Sequence, residues 1–138
     1  MKGILLTVLL AVSLASPLLA QKAIDGVPQA KSDGRVITVH WVSTDETGLA
    51  GFELARGSGR IGSSFAFVVI FDRVAPKGSN SIYDVVDETA FRTTESFYQY
   101  RIVAVYADGH RSEPYFVGVT HSVSSVRRTW GSIKAMFR

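Results

Sequence analysis

The chain has 138 residues, 46% of them hydrophobic, with no cysteine and a formal net charge of +3. Without cysteine there are no disulfides, no thiol chemistry and no lipid anchor on cysteine, so stability has to come from a packed core. The charge is uneven: Gln21 to Thr120 carries ten basic and twelve acidic side chains, a net of −2, whereas His121 to Arg138 carries four basic and none acidic. The pI of about 9.4 therefore describes a tail, and a basic nucleic-acid-binding surface on the globular part is not expected.

Met1-Lys2 is a short positive start, Ile4 to Leu14 is almost wholly apolar, and Ser16 to Ala20 ends in small residues before Gln21. That order reads as a secretory signal peptide over residues 1–20 with cleavage after Ala20. The apolar run is too short, and too broken by Ser13, Ser16 and Pro17, for a span of about 20 residues. Residues 21–121 are then the size of one domain, and 122–138 form a basic tail.

Lys22 to Lys31, with Gly26 and Pro28, reads as an irregular lead-in or short edge strand. After an Asp33-Gly34 turn, Arg35 to Val42 alternates as a strand with Ile37, Val39 and Trp41 inward and His40 outward. Ala50 to Arg56 is the next strand, with Phe52 and Leu54 inward. Residues 57–62 match G-x-G-x-x-G as a string, but a strand follows where a nucleotide site needs a helix, so the stretch reads as a hairpin loop. Phe65 to Phe71 is apolar on both faces. It is expected as a buried inner strand, the alternative being that one face is offered to the tail or to a partner. Ile82 to Asp87 is a short strand. Phe97 to Tyr106 is the strongest strand signal and reads as central, with Tyr98, Tyr100, Ile102, Ala104 and Tyr106 on one face and Gln99 and Arg101 on the wetter one. Asp108-Gly109 turns the chain into a last strand, Tyr115 to Thr120. Seven short strands, or six and a frayed first one, without helical periodicity predict an all-β sandwich.

From Arg35 to Gly109 the sequence resembles a fibronectin type III domain. The residues that carry the likeness are Trp41 on the second strand, Gly51-Phe52-Glu53-Leu54 on the third, and Tyr98-Gln99-Tyr100-Arg101-Ile102-Val103-Ala104-Val105 on the sixth. The resemblance implies a seven-stranded immunoglobulin-like sandwich with Tyr98 at the tyrosine-corner position. More narrowly, Gly51-Phe52-Glu53, Lys77 to Asn80, Tyr83 with Asp87, and Tyr98 to Gly109 resemble the fibronectin-like modules of exported Bacteroidetes-type bacterial proteins. Such modules often precede a C-terminal sorting domain, for which 121–138 is too short.

His40, His110 and His121 each stand alone in the sequence, and a zinc site needs three or four converging ligands. Asp84, Asp87 and Glu88 lack the glycine-bearing loop of a calcium site. No serine sits in a nucleophile elbow. The expectation is a protein that is not an enzyme, with no cofactor, metal or small-molecule substrate. In the tail, Thr129 can cap a short helix in which Trp130, Ile133, Met136 and Phe137 share one side, flanked by Lys134 and Arg138. A helix so short needs a surface to lie on, so the segment reads either as a disordered end or as a helix on its own sandwich, in the groove of another protein or on an anionic membrane.

These readings converge on an exported, non-catalytic protein–protein interaction module of the cell envelope, with the tail as recognition or anchoring element and another envelope or extracellular protein as partner. The alternatives are a structural subunit of a surface fibre or layer, and a carbohydrate-binding module using Tyr83, Tyr106, Tyr115 and Phe116.

Overall fold

A computed structural model describes residues 22–59, 64–90 and 96–121. The expected signal peptide and the tail, with Trp130, Ile133, Lys134, Met136, Phe137 and Arg138, lie outside the described residues, as does the 60–63 stretch of the glycine-rich string.

Seven strands follow one another: β1 (Ile24–Ser32), β2 (Ile37–Ser43), β3 (Leu49–Gly59), β4 (Phe67–Val74), β5 (Ile82–Asp87), β6 (Ser96–Tyr106) and β7 (Tyr115–His121). They form two antiparallel sheets, one in the order β1-β2-β5 and the other β4-β3-β6-β7. The all-β, sandwich-like architecture follows from period-two alternation. Ile37, Val39 and Trp41 on β2 and Tyr98, Tyr100, Ile102 and Ala104 on β6 are buried, and with Phe52, Leu54 and Tyr83 they make one core shared by both sheets. Trp41 stacks on Tyr83 at 5.1 Å, and Phe52 sets its edge against both rings. The central place expected of β6 is the observed one, between β3 and β7.

Two expectations are corrected. The Phe65–Phe71 run is not an inner strand: β4 starts at Phe67 and is the outermost strand of its sheet, leaving Val68 67% and Phe71 38% exposed. A continuous apolar run does not distinguish a covered strand from an edge strand that displays its side chains. The ladder to β3 is irregular on both sides of Leu54, and such irregularities are one way an apolar edge is kept from pairing with another chain. Secondly, β3 does not stop at Arg56, because Gly57, Ser58 and Gly59 continue the ladder opposite Gln99, Tyr98 and Phe97. The lead-in takes the edge-strand alternative, as a nine-residue strand whose register shifts between Asp25 and Gln29, around Gly26 and the buried Pro28.

Polar groups tie the two sheets together inside this core. Asp87, at the end of β5, accepts hydrogen bonds from Arg56 Nη1 at 2.6 Å and Tyr100 Oη at 2.7 Å, both on the opposite sheet. Its other oxygen accepts from Thr89 Oγ1 at 2.7 Å and Thr89 N at 2.9 Å. At the other end Glu46 accepts from the Tyr83 hydroxyl at 2.5 Å and from the backbone N–H groups of Lys77 and Gly78, joining the β2–β3 and β4–β5 loops. Burial opposes charge on both carboxyls, yet these hydrogen bonds outweigh it and hold each below its usual range. Burial and the bond to Glu46 push the Tyr83 hydroxyl up to about 12.

Because both carboxyls bind a proton more weakly in the folded state, the unfolded chain takes up protons first as the pH falls. Their contribution is complete well above the unfolded values of about 4 and is lost as the pH drops through the depressed folded values. Urea melts at a series of pH values should show full stability at pH 7 and a fall beginning near pH 5. Asp87→Ala, which strands the Arg56 guanidinium and the Tyr100 hydroxyl, is expected to cost about 3 kcal/mol at pH 7 and to flatten that acid dependence.

Candidate binding face on the four-stranded sheet

Residues of β3, β6 and β7 that alternate with the core set point away from it. Across this outer face Phe67, Gly57, Gln99 and Gly118 stand in one register row, and Val69, Ala55, Arg101 and Phe116 in the next. Phe97 stands one row further on, opposite Thr120. Without side chains at Gly57 and Gly118, the neighbouring rings settle onto the sheet. A Cβ on Gly57 would lie 2.8 Å from Phe65 Cβ, and one on Gly118 would lie 2.7 Å from Phe97 Cζ.

The result is a chain of aromatic contacts on a solvent-facing surface. Phe97 meets Phe65 at 5.8 Å between centroids, Phe65 meets Phe67 at 6.3 Å, and Phe67 meets Phe116 at 5.8 Å. Phe116 is 46% exposed, and Val69 beside it is 44% exposed. The Arg101 guanidinium lies over the Phe67 ring, 4.8 Å from its centre. Its Nε is buried and meets no hydrogen-bond partner among the described residues. Glu53, in the same face, receives Arg111 Nη2 at 2.8 Å and Arg101 Nη2 at 3.8 Å. The surface is therefore a low aromatic platform bordered by guanidinium groups. Exposed apolar patches rimmed by polar residues mark protein, membrane or ligand contact surfaces.

The outer face of the three-stranded sheet carries no aromatic rings in contact among the described residues but mixes polar groups with the exposed Ile82 and Val86. Gln29, His40 and Asp84 form a register row there, with Thr38 and Lys31 beside it, around a shallow polar groove. His40 Nδ1 lies 2.7 Å from Asp84 Oδ1, so the outward histidine is paired with a carboxylate. His110 has a similar neighbour in Asp108, at 2.5 Å, and stacks on Tyr106. His121 is fully buried, with Nδ1 2.6 Å from Ser32 Oγ on the other sheet. The three histidines are thus far apart in role, and among the described residues no three side chains of metal-ligating type converge. Asp84 and Asp87 face opposite ways, one to His40 and one into the core, so the acidic cluster of the sequence is not a cluster in space.

The named hallmark residues Trp41, Phe52, Leu54, Tyr98, Tyr100, Ile102 and Ala104 all lie in the core. Arg56 sits over the Tyr98 ring, 5.3 Å from its centre. The tyrosines proposed for a carbohydrate platform do not share a surface. Tyr83 is core, Tyr106 packs on His110, and the Tyr115 hydroxyl accepts the Ala23 N–H at 3.0 Å, leaving Phe116 on the aromatic face. Sequence reasoning missed Phe67, Phe97 and Arg101 as members of one site. The available signal was the pair of glycines inside strands, Gly57 and Gly118, since a glycine there marks close approach of another group.

No protein-family model matches the chain, and no curated protein matches it. Among the described residues no helix is long and apolar enough to cross a membrane.

Gly57→Ala and Gly118→Ala separate a rigid contact from a yielding one. At Gly57 the obstacle is the root of the Phe65 side chain, and at Gly118 it is the far end of the Phe97 ring. Urea denaturation should show a loss of about 1–3 kcal/mol for Gly57→Ala, typical of overpacking, and a smaller loss for Gly118→Ala.

Proposed function

We propose that this chain is an exported, non-catalytic protein–protein interaction module of the fibronectin type III kind, working at the cell envelope. The type of sandwich is supported by Trp41 on β2, Phe52 and Leu54 on β3, and the tyrosine-rich β6, all turned to the core. It is further supported by strand order: β4 joins β3, whereas in constant-type immunoglobulin sandwiches the fourth strand joins the first, second and fifth. Export is supported by the signal-like pattern of residues 1–20.

The observation that carries the binding role is the aromatic outer face, with Phe116 and Val69 displayed to solvent on a sheet whose other face already holds the core. Folding alone does not require four phenylalanines to be gathered there. The tail, with Trp130, Ile133 and Phe137 among its cations, is the second recognition element in this reading, and another envelope or extracellular protein is the partner. A structural subunit or a glycan binder would use the same exposed surface differently.

The test is a pull-down from envelope extract with the full chain, a chain lacking residues 122–138, and Phe116→Asp, with sedimentation in parallel. The module reading expects a monomer that captures one defined protein in stoichiometric amount, with at least a tenfold loss of capture in Phe116→Asp, or about 1.4 kcal/mol of binding. Concentration-dependent polymers would instead make the chain a structural subunit, and glycan binding without protein capture would make it a carbohydrate module.

A further inference from the structure

The aromatic face needs an occupant, and the chain itself brings one to its border. We infer that the C-terminal segment covers this face in the free protein: Trp130, Ile133, Met136 and Phe137 pack on Phe65, Phe67, Phe97 and Phe116 of the same molecule. The contact is intramolecular and is independent of whether a partner is captured.

The first argument is the point of exit. β7 ends at His121, which pairs with Ser96, and the residue before it, Thr120, pairs with Phe97. The segment from 122 onward therefore leaves the sheet at the end where Phe97 and Phe65 meet. Reach is the second. Eight residues lie between His121 and Trp130, and the nine steps they make allow about 30 Å of extended chain. The face is four strands wide, about 15 Å at the usual strand spacing, so every phenylalanine of the platform is within range. The third is chemistry: the four apolar side chains fall on one side at helical spacing, which matches a low platform of rings. Tethering supplies the rest, since a short covalent link keeps the segment at an effective concentration of about millimolar. A modest apolar contact then suffices.

Charge makes the inference specific. Arg101 and Arg111 border the platform and already share the single carboxylate Glu53. Arg127, Arg128, Lys134 and Arg138 of the tail therefore meet like charge there. Salt screens like charges and favours apolar burial, so added sodium chloride should leave the contact unchanged or tighten it. Docking on an anionic membrane has the opposite salt dependence.

The chain has two tryptophans, and Trp41 is buried in the core, so emission that acrylamide can quench belongs to Trp130. In the full chain, purified as the cell delivers it, Trp130 is expected to be shielded and its emission blue-shifted, at high and low salt alike. Phe116→Ser should expose it, raising the quenching constant severalfold while Trp41 stays protected and reports an intact fold. As a second measurement, amide chemical shifts are compared between the full chain and Trp130→Ala/Phe137→Ala, which alters nothing in the described fold. Shifts should concentrate on Phe67, Val69, Arg101 and Phe116. The inference is overturned if Trp130 quenches freely in the unaltered chain, or if those amides do not move. It is equally overturned if shielding disappears on dilution, which would make a second copy the occupant, or requires anionic vesicles. All of this is read without a partner, so its failure leaves the binding role standing, and loss of partner capture leaves this contact standing.

Discussion

One buried carboxylate holds the two layers in register. Asp87 comes from the three-stranded sheet, and its partners Arg56 and Tyr100 are cross-strand neighbours on the four-stranded one. A charge placed there is costly unless every lone pair is used. Thr89 completes the set with its hydroxyl and its N–H. The arrangement is satisfied only when β5 sits opposite β3 and β6 at one relative position. Apolar packing favours closure of the sandwich without choosing among small slides of one sheet over the other, whereas this cluster chooses. Glu46 does the same for the loops at the opposite end, where Tyr83 carries the link directly to the stacked Trp41.

With the layers fixed from within, the outer faces are free to differ, and they do. The three-stranded sheet presents Gln29, Lys31, Thr38, His40 and Asp84 together with the exposed Ile82 and Val86. The four-stranded sheet presents phenylalanines laid on glycines, with Arg101 over one ring. An apolar face on a thin sandwich is an aggregation hazard unless something covers it. The irregular ladder of β4 guards the edge but not the face. The inferred packing of the chain's own tail on this face answers that hazard.

Much of the fold was legible because strands with one wet face announce themselves. β2 alternates cleanly, and the residues assigned inward on β2 and β6, from Ile37 to Trp41 and from Tyr98 to Ala104, are buried, whereas Val103 and Val105 on the other face of β6 are buried as well and Tyr106 only partly. β4 was misread for a physical reason: hydrophobicity on both sides of a strand is equally compatible with double burial and with display. The glycines at 57 and 59 looked like loop punctuation, whereas at least one of them is there to admit a ring. The aromatic face was legible only as the alternative that one side of Phe65–Phe71 is displayed, since the whole is assembled from β3, β4, β6 and β7 and depends on register that no local pattern carries. Asp87 was visible as an acid near a turn, and its role depends on partners 31 and 13 residues away.

The most direct test of this account is a double-mutant cycle on Arg56→Leu and Asp87→Asn, with stability measured by urea denaturation at pH 7. If the cross-sheet cluster fixes the packing of the two layers, the two losses should be strongly non-additive, with a coupling of about 1.5–3 kcal/mol. Additive losses, within about 0.5 kcal/mol, would mean that the cluster is incidental to the register of the sheets, which apolar packing and the remaining cross-sheet contacts then set.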